Sequence, residues 1–264
     1  MLIDTHCHLH DREFFSAKQA EEILERALAK NVKRIICIGT SNEDSLSARD
    51  FAATHDGVYW TYGIHPERAA EGPKNSCLRL ESLAPVDQRS SASRGAMQSP
   101  IAIGEVGLDY HYEGYNREAQ IELFEEMLQL ALDYDLPVSF HVREAFDDFL
   151  AVVANFPKIR GVVHSFSDNK KNLKRILTET DFFVGVNGMA TYSTLPTPPL
   201  ERILLETDAP FLTPKPFRGI INECGYIPEI AKWLSQKLAV DFDQIERETT
   251  RNAEELFKFS TAEL

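Results

Sequence analysis

Short apolar and β-branched runs recur along the chain, and a longer segment separates each run from the next. Each run is nearly continuous in apolar residues and is bounded by polar residues or glycine, which is typical of strands that are covered on both faces. The runs lie at positions 2–5, 34–38, 58–62, 101–104, 137–140, 161–163, 182–186 and 203–206. The pattern therefore predicts eight parallel strands.

Amphipathic helical patterns occupy most of the intervals between these runs. The apolar residues of segments 17–30 and 117–134 recur at the spacing that places them on one face of a helix. Further helices are predicted at 43–54, 145–154, 170–177, 223–238 and 242–257. Eight strands alternating with helices in 264 residues predict an α/β fold, a single TIM-type (β/α)8 barrel over residues 1–264, rather than a doubly wound sheet.

Two segments interrupt this alternation. Segment 85–100 is rich in serine, arginine and proline and has no periodicity, so it is predicted to be a surface loop. Segment 189–200 carries three prolines where the seventh strand should lead through a helix to the eighth. Because proline disrupts a helix interior, we expect that helix to be very short or absent. Neither segment resembles a domain boundary.

Composition narrows the class of protein. Hydrophobic residues make up 43% of the chain, which is enough for a large core, and no apolar run approaches the ~18 residues of a membrane span. The first residues lack the basic and then apolar pattern of a signal peptide. We expect a cytoplasmic protein without membrane association. The four cysteines are widely scattered and are predicted to be reduced thiols: Cys7, Cys37, Cys77 and Cys224.

The formal net charge of −13 argues against a broad basic surface that coats nucleic acid. It does not exclude an enzyme that meets a phosphodiester locally, because bound metal ions can supply positive charge at the site. The charge therefore leaves the substrate open.

Residues of metal-ligand type follow five of the predicted strands. In a (β/α)8 barrel the functional groups come from the C-terminal ends of the strands, so these residues should meet at one mouth. His6 and His8 lie two apart in an extended segment, which points both side chains to the same side. The full set is His6, His8, Glu105, His141, His164 and Asp208. The sequence therefore predicts a metal centre.

Six donors suffice for two divalent ions if Glu105 contacts both. We expect His6, His8 and Asp208 on one ion, and the two remaining histidines, at 141 and 164, on the other. Two ions about 3.5–4 Å apart can hold a hydroxide between them. Taken singly, each donor has an alternative interpretation: an H-x-H pair is a weak signal, and a histidine that ends a strand is often an interior or surface residue. Their coincidence at one mouth favours the metal centre, and the histidines at 10, 55 and 111 are interpreted as surface or supporting residues.

Seven segments match one family in its own order along the chain. They are IDTHCHL at 3–9, GIHPE at 63–67, IGEVGLDY at 103–110, LPVSFHVREA at 136–145, GVVHSFS at 161–167, ILLETDAPFLTP at 203–214 and TTRNAEELF at 249–257. On these motifs the chain resembles the TatD family of metal-dependent deoxyribonucleases, within the amidohydrolase-like metal barrels. The resemblance implies that the same six residues are ligands. It also implies exonucleolytic hydrolysis of DNA, single-stranded or at 3′ ends, with two ions, Mg2+ or Mn2+ and alternatively Zn2+.

Roles for individual residues follow as hypotheses. Asp208 is the candidate to accept a proton from the attacking water, and Glu105 is the candidate bridging ligand. His65 and Arg143 are candidates for contacting a phosphate, although His65 could instead order its turn and Arg143 could pair with a carboxylate. Glu206 could orient a metal-bound histidine or simply finish its strand.

Several peripheral features have two interpretations. The basic residues of segment 170–175 could guide a nucleic-acid strand or form a solvated helix face, and the latter is favoured. Phe217 and Tyr226 could stack on a base or pack in the core. Segment 217–224 departs from the family by carrying isoleucines and a cysteine, so its substrate contacts are in question.

Two other functions compete with a nuclease. A hydrolase of small amides or esters is mildly favoured by the acidic surface, whereas His65 and Arg143 favour a phosphate ester. An inactive metal-binding scaffold is the third interpretation, and the presence of all six donor types argues against it. We infer no obligate protein partner and expect a monomer.

Overall fold

The barrel sheet contains eight strands that are hydrogen-bonded in chain order, each parallel to the next. The computed structural model describes residues 1–71 and 99–259, so the predicted loop at 85–100 lies almost wholly outside the described residues, as does the cysteine at position 77. The strands are β1 Leu2–Cys7, β2 Val32–Cys37, β3 Val58–Tyr62, β4 Ala102–Asp109, β5 Val138–Arg143, β6 Gly161–Val163, β7 Phe183–Val186 and β8 Ile203–Leu205.

The first and last strands meet and close the sheet. Cys7 forms a parallel bridge with Ala209, just beyond β8. The backbone N–H of Asp208 donates to the carbonyl of His6 at 2.8 Å, and the N–H of His8 donates to the carbonyl of Ala209 at 2.8 Å. This bridge makes the barrel nearly closed, so the first and last strands cover each other's edges at the mouth. The prediction of a TIM-type (β/α)8 barrel is confirmed.

Seven α-helices in the described residues cover the barrel: α1 Ala17–Ala29, α2 Asn42–Ala52, α3 Arg117–Asp133, α4 Phe146–Val153, α5 Lys170–Glu179, α6 Ile227–Leu238 and α7 Phe242–Phe257. The first helix begins at a capping box, in which Ser16 and Gln19 satisfy each other's backbone N–H groups. Its buried residues recur at helical spacing and face the sheet. None of the helices in the parts of the chain that the structure describes could span a bilayer.

Three strands run further than the apolar pattern predicted. The pattern ended β1 at position 5, β4 at 104 and β5 at 140, whereas these strands continue to Cys7, Asp109 and Arg143. The backbone ladder continues past the last apolar residue, because Gly107 pairs with His141 in register. The polar side chains there face the barrel mouth, so hydrophobicity underestimates strand length where the strands supply polar groups to a cavity.

The predicted absence of a full helix between β7 and β8 is confirmed. Two short 3₁₀ turns replace it, Gly188–Thr191 and Leu200–Arg202.

The backbones of β3 and β4 approach each other closely at the mouth of the barrel. A Cβ on Gly63 would lie 2.3 Å from the backbone nitrogen of Glu105. Only glycine therefore lets the end of β3 pack against β4 where Glu105 leaves the backbone.

Candidate metal centre

A cavity of about 620 Å³ opens at the C-terminal end of the barrel. Its volume is within the usual range for ligand sites, roughly 300–1,000 Å³. Residues from the ends of the strands and from the loops that follow them line it. Among these residues are His8, Glu105, His141, His164 and Asp208.

Glu105 lies at the centre of the cavity floor. Its Oε1 is 2.6 Å from Nδ1 of His141 and 2.8 Å from Nε2 of His164. Its Oε2 is 3.5 Å from Nε2 of His6. Residues from β1, β4 and β5 and from the end of β6 therefore converge on one carboxylate, as the strand-end argument predicted.

Asp208 joins this cluster from the turn after β8. Its Oδ1 is 3.7 Å from Nε2 of His6 and 3.7 Å from Nε2 of His8. The bridge that closes the barrel produces this arrangement, because it aligns the turn after β8 with the end of β1. The structure thus brings together all six residues that the sequence selected as donors.

At the mouth, donor atoms of the described residues that lie within 4.8 Å of one another form three overlapping groups. One contains His6, His8 and Glu105, a second contains His6 with residues 164 and 208, and a third contains His65 and Glu105 with residue 141. Glu105 belongs to two groups, in keeping with its predicted central place. The donors do not separate into the two expected sets, because residues expected on different ions are in contact. The imidazole of His164 stacks on that of His6, with ring centroids 3.8 Å apart.

His65 lies deeper in this cluster than a phosphate contact requires. Its Nε2 is 3.7 Å from Oε1 of Glu105, and its ring centroid is 4.4 Å from that of His141. The sequence suggested either a phosphate contact or the ordering of its own turn for His65. The geometry also places its imidazole among donors of metal-ligand type.

The charges of the cluster compensate one another. Burial alone would raise the pKa of Glu105, but the charge and hydrogen bonds of the neighbouring histidines hold it well below its usual range. Burial lowers the pKa of His8, yet the hydrogen bond and charge of Asp208 outweigh burial and raise it to about 9. Burial also lowers the pKa of His141, but its hydrogen bonds to Asp109 and Glu105 outweigh burial and raise the pKa to about 9. Protons on imidazoles therefore balance the carboxylates.

Two other histidines of the cluster, His6 and His65, are neutral at pH 7, whereas the pKa of His164 is raised because the charge and hydrogen bond of Glu105 outweigh burial. Burial lowers the pKa of His6 to about 4 and that of His65 to about 3. Nε2 of His6 is buried without a hydrogen-bond partner, although it faces Glu105 and Asp208. A buried nitrogen that lacks a partner is energetically costly unless a ligand uses its lone pair. This donor set of imidazoles and carboxylates fits divalent cations, which can replace the protons as balancing charge.

Asp109 is a residue of the site that the sequence argument missed. Its Oδ2 is 2.9 Å from Nε2 of His141, on the opposite side of the ring from Glu105. A carboxylate on the far nitrogen fixes the orientation of an imidazole. The available signal was the alternation of β4, because Asp109 lies four residues after Glu105 and therefore on the same face of the strand.

Glu206 is fully buried behind the cluster, and burial raises its pKa to about 7. Its Oε1 accepts a hydrogen bond from the backbone N–H of Ser165 at 2.6 Å, but it is 3.9 Å from Nδ1 of His164. In this geometry Glu206 secures the turn after β6 and makes no hydrogen bond to the histidine.

Arg143 lines the cavity at its rim. Its guanidinium lies over the ring of Tyr112, with Cζ 5.4 Å from the ring centroid, and Nη1 is 3.4 Å from the tyrosine hydroxyl. The aromatic contact holds Arg143 at the mouth, where a phosphate contact was predicted.

Other candidates lie away from the mouth. Phe217 and Tyr226 stack on each other with centroids 4.3 Å apart and do not line the cavity. The basic residues of α5 form a helix face outside the cavity, where Arg175 pairs with Asp147 and Glu179. The basic residues of α5 thus match the favoured interpretation of a solvated helix face, and Phe217 and Tyr226 match the packing alternative.

The remaining histidines and the thiols are outside the donor cluster. His10 is buried and its Nε2 is 2.9 Å from Oδ1 of Asp44, whose Oδ2 accepts two hydrogen bonds from Thr40. His55 pairs with a glutamate of α1, and the histidine at 111 pairs with Glu144. The three described cysteines, at 7, 37 and 224, are buried free thiols, in agreement with the prediction of reduced cysteines.

Comparison with known proteins agrees with this fold. The model of the family described as TatD related DNase matches residues 3–258. The chain is 31% identical to YabD of Bacillus subtilis, described as an uncharacterized metal-dependent hydrolase, over 98% of this chain and 100% of that protein. It is 32% identical to the 3′-5′ ssDNA/RNA exonuclease TatD of Cronobacter sakazakii, over 94% of this chain and 92% of that protein.

Solved structures give the same result. The crystal structure of YjjV, a TatD homologue from Escherichia coli, superposes with a TM-score of 0.85 at 28% identity, and the match covers 98% of each chain. The family model and these relatives extend over nearly the whole barrel, including every strand end that contributes to the cavity. This chain therefore belongs to the TatD related DNase family.

Proposed function

We propose that the protein is a divalent-metal-dependent exonuclease that hydrolyses phosphodiester bonds of single-stranded DNA. The observation that carries the proposal is the convergence of six imidazoles and carboxylates at the mouth of the barrel, with Arg143 on the rim. Two relatives, from Cronobacter sakazakii and Erwinia tasmaniensis, bear the name 3′-5′ ssDNA/RNA exonuclease TatD, which supports this substrate class.

In this proposal the six predicted donors would hold two divalent ions. The ligands would be His6, His8, Glu105, His141, His164 and Asp208. When bound, Mg2+ or Mn2+ would supply Lewis-acid stabilisation of the phosphoryl oxygens and a nucleophilic hydroxide at neutral pH. Zn2+ is the alternative ion, because it binds both imidazole nitrogen and carboxylate oxygen.

The chain's own residues have separate tasks. Burial raises the pKa of Asp208, but the hydrogen bond of His8 and the nearby imidazole charges outweigh it and lower the pKa below its usual value. Asp208 is therefore ionised at neutral pH and can accept a proton from the attacking water. Arg143 carries a permanent charge at the rim and suits a phosphate. His65, whose pKa is about 3, would contact a phosphate only as a neutral hydrogen-bond donor.

We expect the purified protein to release nucleotides from short single-stranded DNA in the presence of Mg2+ or Mn2+. Release should stop when EDTA is added and return when excess metal is restored, because the ions would supply both the Lewis-acid stabilisation and the nucleophilic hydroxide. Gel electrophoresis of a 5′-labelled strand measures the reaction. A small aryl ester and a dipeptide amide serve as comparison substrates. Metal-dependent hydrolysis of either one without nucleotide release would replace the nuclease with a small-molecule hydrolase.

A second prediction concerns Asp109, which contacts His141 on the side away from Glu105. The Asp109→Ala variant should bind Mn2+ about 10- to 100-fold more weakly, because the imidazole loses the carboxylate that orients it. Titration followed by the EPR signal of free Mn2+ measures the affinity. Asp109→Asn keeps an oxygen acceptor at that position and should recover part of the affinity. Equal Mn2+ affinity in the Ala variant and the original protein would show that Asp109 has no part in metal binding.

A further inference from the structure

Two phenylalanines remain exposed at the edge of the cavity. Phe14 is 41% exposed and Phe211 is 47% exposed. Their ring centroids are 5.3 Å apart with an interplanar angle of 79°, so they form one edge-to-face pair. Both side chains line the cavity that contains the donor cluster. Proteins usually bury phenylalanine, so a pair left in solvent beside a polar cavity calls for a ligand that covers it.

The backbone around each ring is held by hydrogen bonds. The N–H of Phe15 donates to the carbonyl of Asp11 at 3.0 Å, and Phe15 is buried, which leaves Phe14 facing outward. The N–H of Phe211 donates to the carbonyl of Asp208 at 2.8 Å. Asn222 is fully buried and its Nδ2 donates to the carbonyl of Phe211 at 2.6 Å. The pair is therefore presented on fixed backbone.

The pair borders the donor cluster directly. The ring centroid of Phe211 is 6.3 Å from that of His8, whose Nε2 is 3.7 Å from Asp208. A flat ligand on the phenylalanines would therefore lie next to the reacting centre. This distance suits the base of a nucleotide whose phosphate occupies the centre.

The charges at the mouth favour one orientation of such a nucleotide. The phenylalanines follow β1 and β8, whereas Arg143 ends β5 and Tyr112 follows β4, on the opposite side of the barrel. Asp11 lines the cavity on the side of Phe14 and makes that side unfavourable for a phosphate. The mouth thus has an aromatic side for a base and a cationic side for phosphate.

We propose that Phe14 and Phe211 form the surface on which a base next to the scissile phosphate stacks. The proposal rests on the nuclease function above and specifies how that site selects its substrate. Stacking on aromatic rings tolerates any base, because every base has a π-face. A base inside a duplex is covered on both faces by its neighbours, so the surface favours an unpaired nucleotide at the reacting end.

The test compares oligonucleotides that differ in a single base. One strand is complete, and the others carry an abasic residue on one side or the other of the first scissile phosphate. The original protein should cleave one abasic strand with kcat/KM about tenfold lower, the size of effect expected for one stacked base. The double variant Phe14→Ala/Phe211→Ala should lose about tenfold on the complete strand and nothing further on that abasic strand. An equal loss on both strands would overturn the proposal.

A binding measurement keeps the test independent of catalysis. Strands that carry 2-aminopurine beside the first phosphate are titrated with protein in EDTA, and stacking should quench the fluorescence. The double variant should lose this quenching, and Phe211→Trp should keep it. Leu28→Ala removes an apolar side chain of similar exposure on α1, outside the cavity, and should behave like the original protein. Equal quenching in the double variant and the original protein would overturn the stacking surface, whereas absent nucleotide release by the original protein would overturn only the nuclease.

Discussion

Replacing Asp208 with alanine should lower kcat/KM for single-stranded DNA by about a thousandfold or more while the barrel stays folded. The carboxylate is the group that contacts both His6 and His8, at 3.7 Å from each Nε2. Its loss removes one ligand and the candidate proton acceptor together. Initial rates with Mn2+ give the activity, and circular dichroism with thermal melting gives the folded state.

The matched control removes a carboxylate that is far from the mouth. Asp147 lies exposed on α4, where it pairs with Arg175, so Asp147→Ala should retain the original rate. If Asp208→Ala is folded and retains more than about a tenth of the activity, Asp208 has neither proposed role. Another residue at the same mouth would then have to accept the proton from the attacking water.

Replacing Glu105 with glutamine should abolish both activity and the stabilisation that metal gives. The substitution preserves shape but removes the charge that contacts His6, His141 and His164. A cation at 100 times its dissociation constant stabilises a folded protein by about 2.7 kcal/mol, which corresponds to a rise in Tm on the order of 5–10 °C. The original protein should gain this rise with Mn2+, and Glu105→Gln should not. Melting scans with and without Mn2+ measure the difference, and activity should fall by about a thousandfold.

Glu25→Gln provides the control for this experiment, because Glu25 is an exposed carboxylate on α1. It should retain the rise in Tm and the activity. A full Mn2+-dependent rise in Glu105→Gln would mean that the donors bind the ions without the carboxylate, and the bridging arrangement would be wrong.

The fold could be predicted from the sequence because its strands are buried on both faces. Burial on two faces makes each strand a continuous apolar run, and runs such as 161–163 and 203–206 are too short for helices. The same rule failed at the C-terminal ends of β1, β4 and β5. There the side chains face a polar cavity, so polarity changes while the backbone ladder continues.

The residues of the candidate site could be predicted from the sequence, but the arrangement of their side chains could not. Donors at the ends of parallel strands meet at one mouth in any barrel of this kind, so their identity follows from the sequence. The stacking of His164 on His6 does not, because it depends on side-chain rotamers across the cavity. Phe14 and Phe211 were missed for a similar reason: each lies in a loop whose burial the local sequence does not set.

The sequence by itself determined the order of the strands, the side of the barrel that carries the chemistry and the six residues that could supply it. Only the tertiary structure decided their mutual distances. His8 and Asp208 are neighbours because the turn after β8 pairs with the end of β1, and a contact between segments so distant along the chain leaves no trace in local hydrophobic periodicity. Likewise the direction of each imidazole is set by partners such as Asp109 that come together only when the barrel closes.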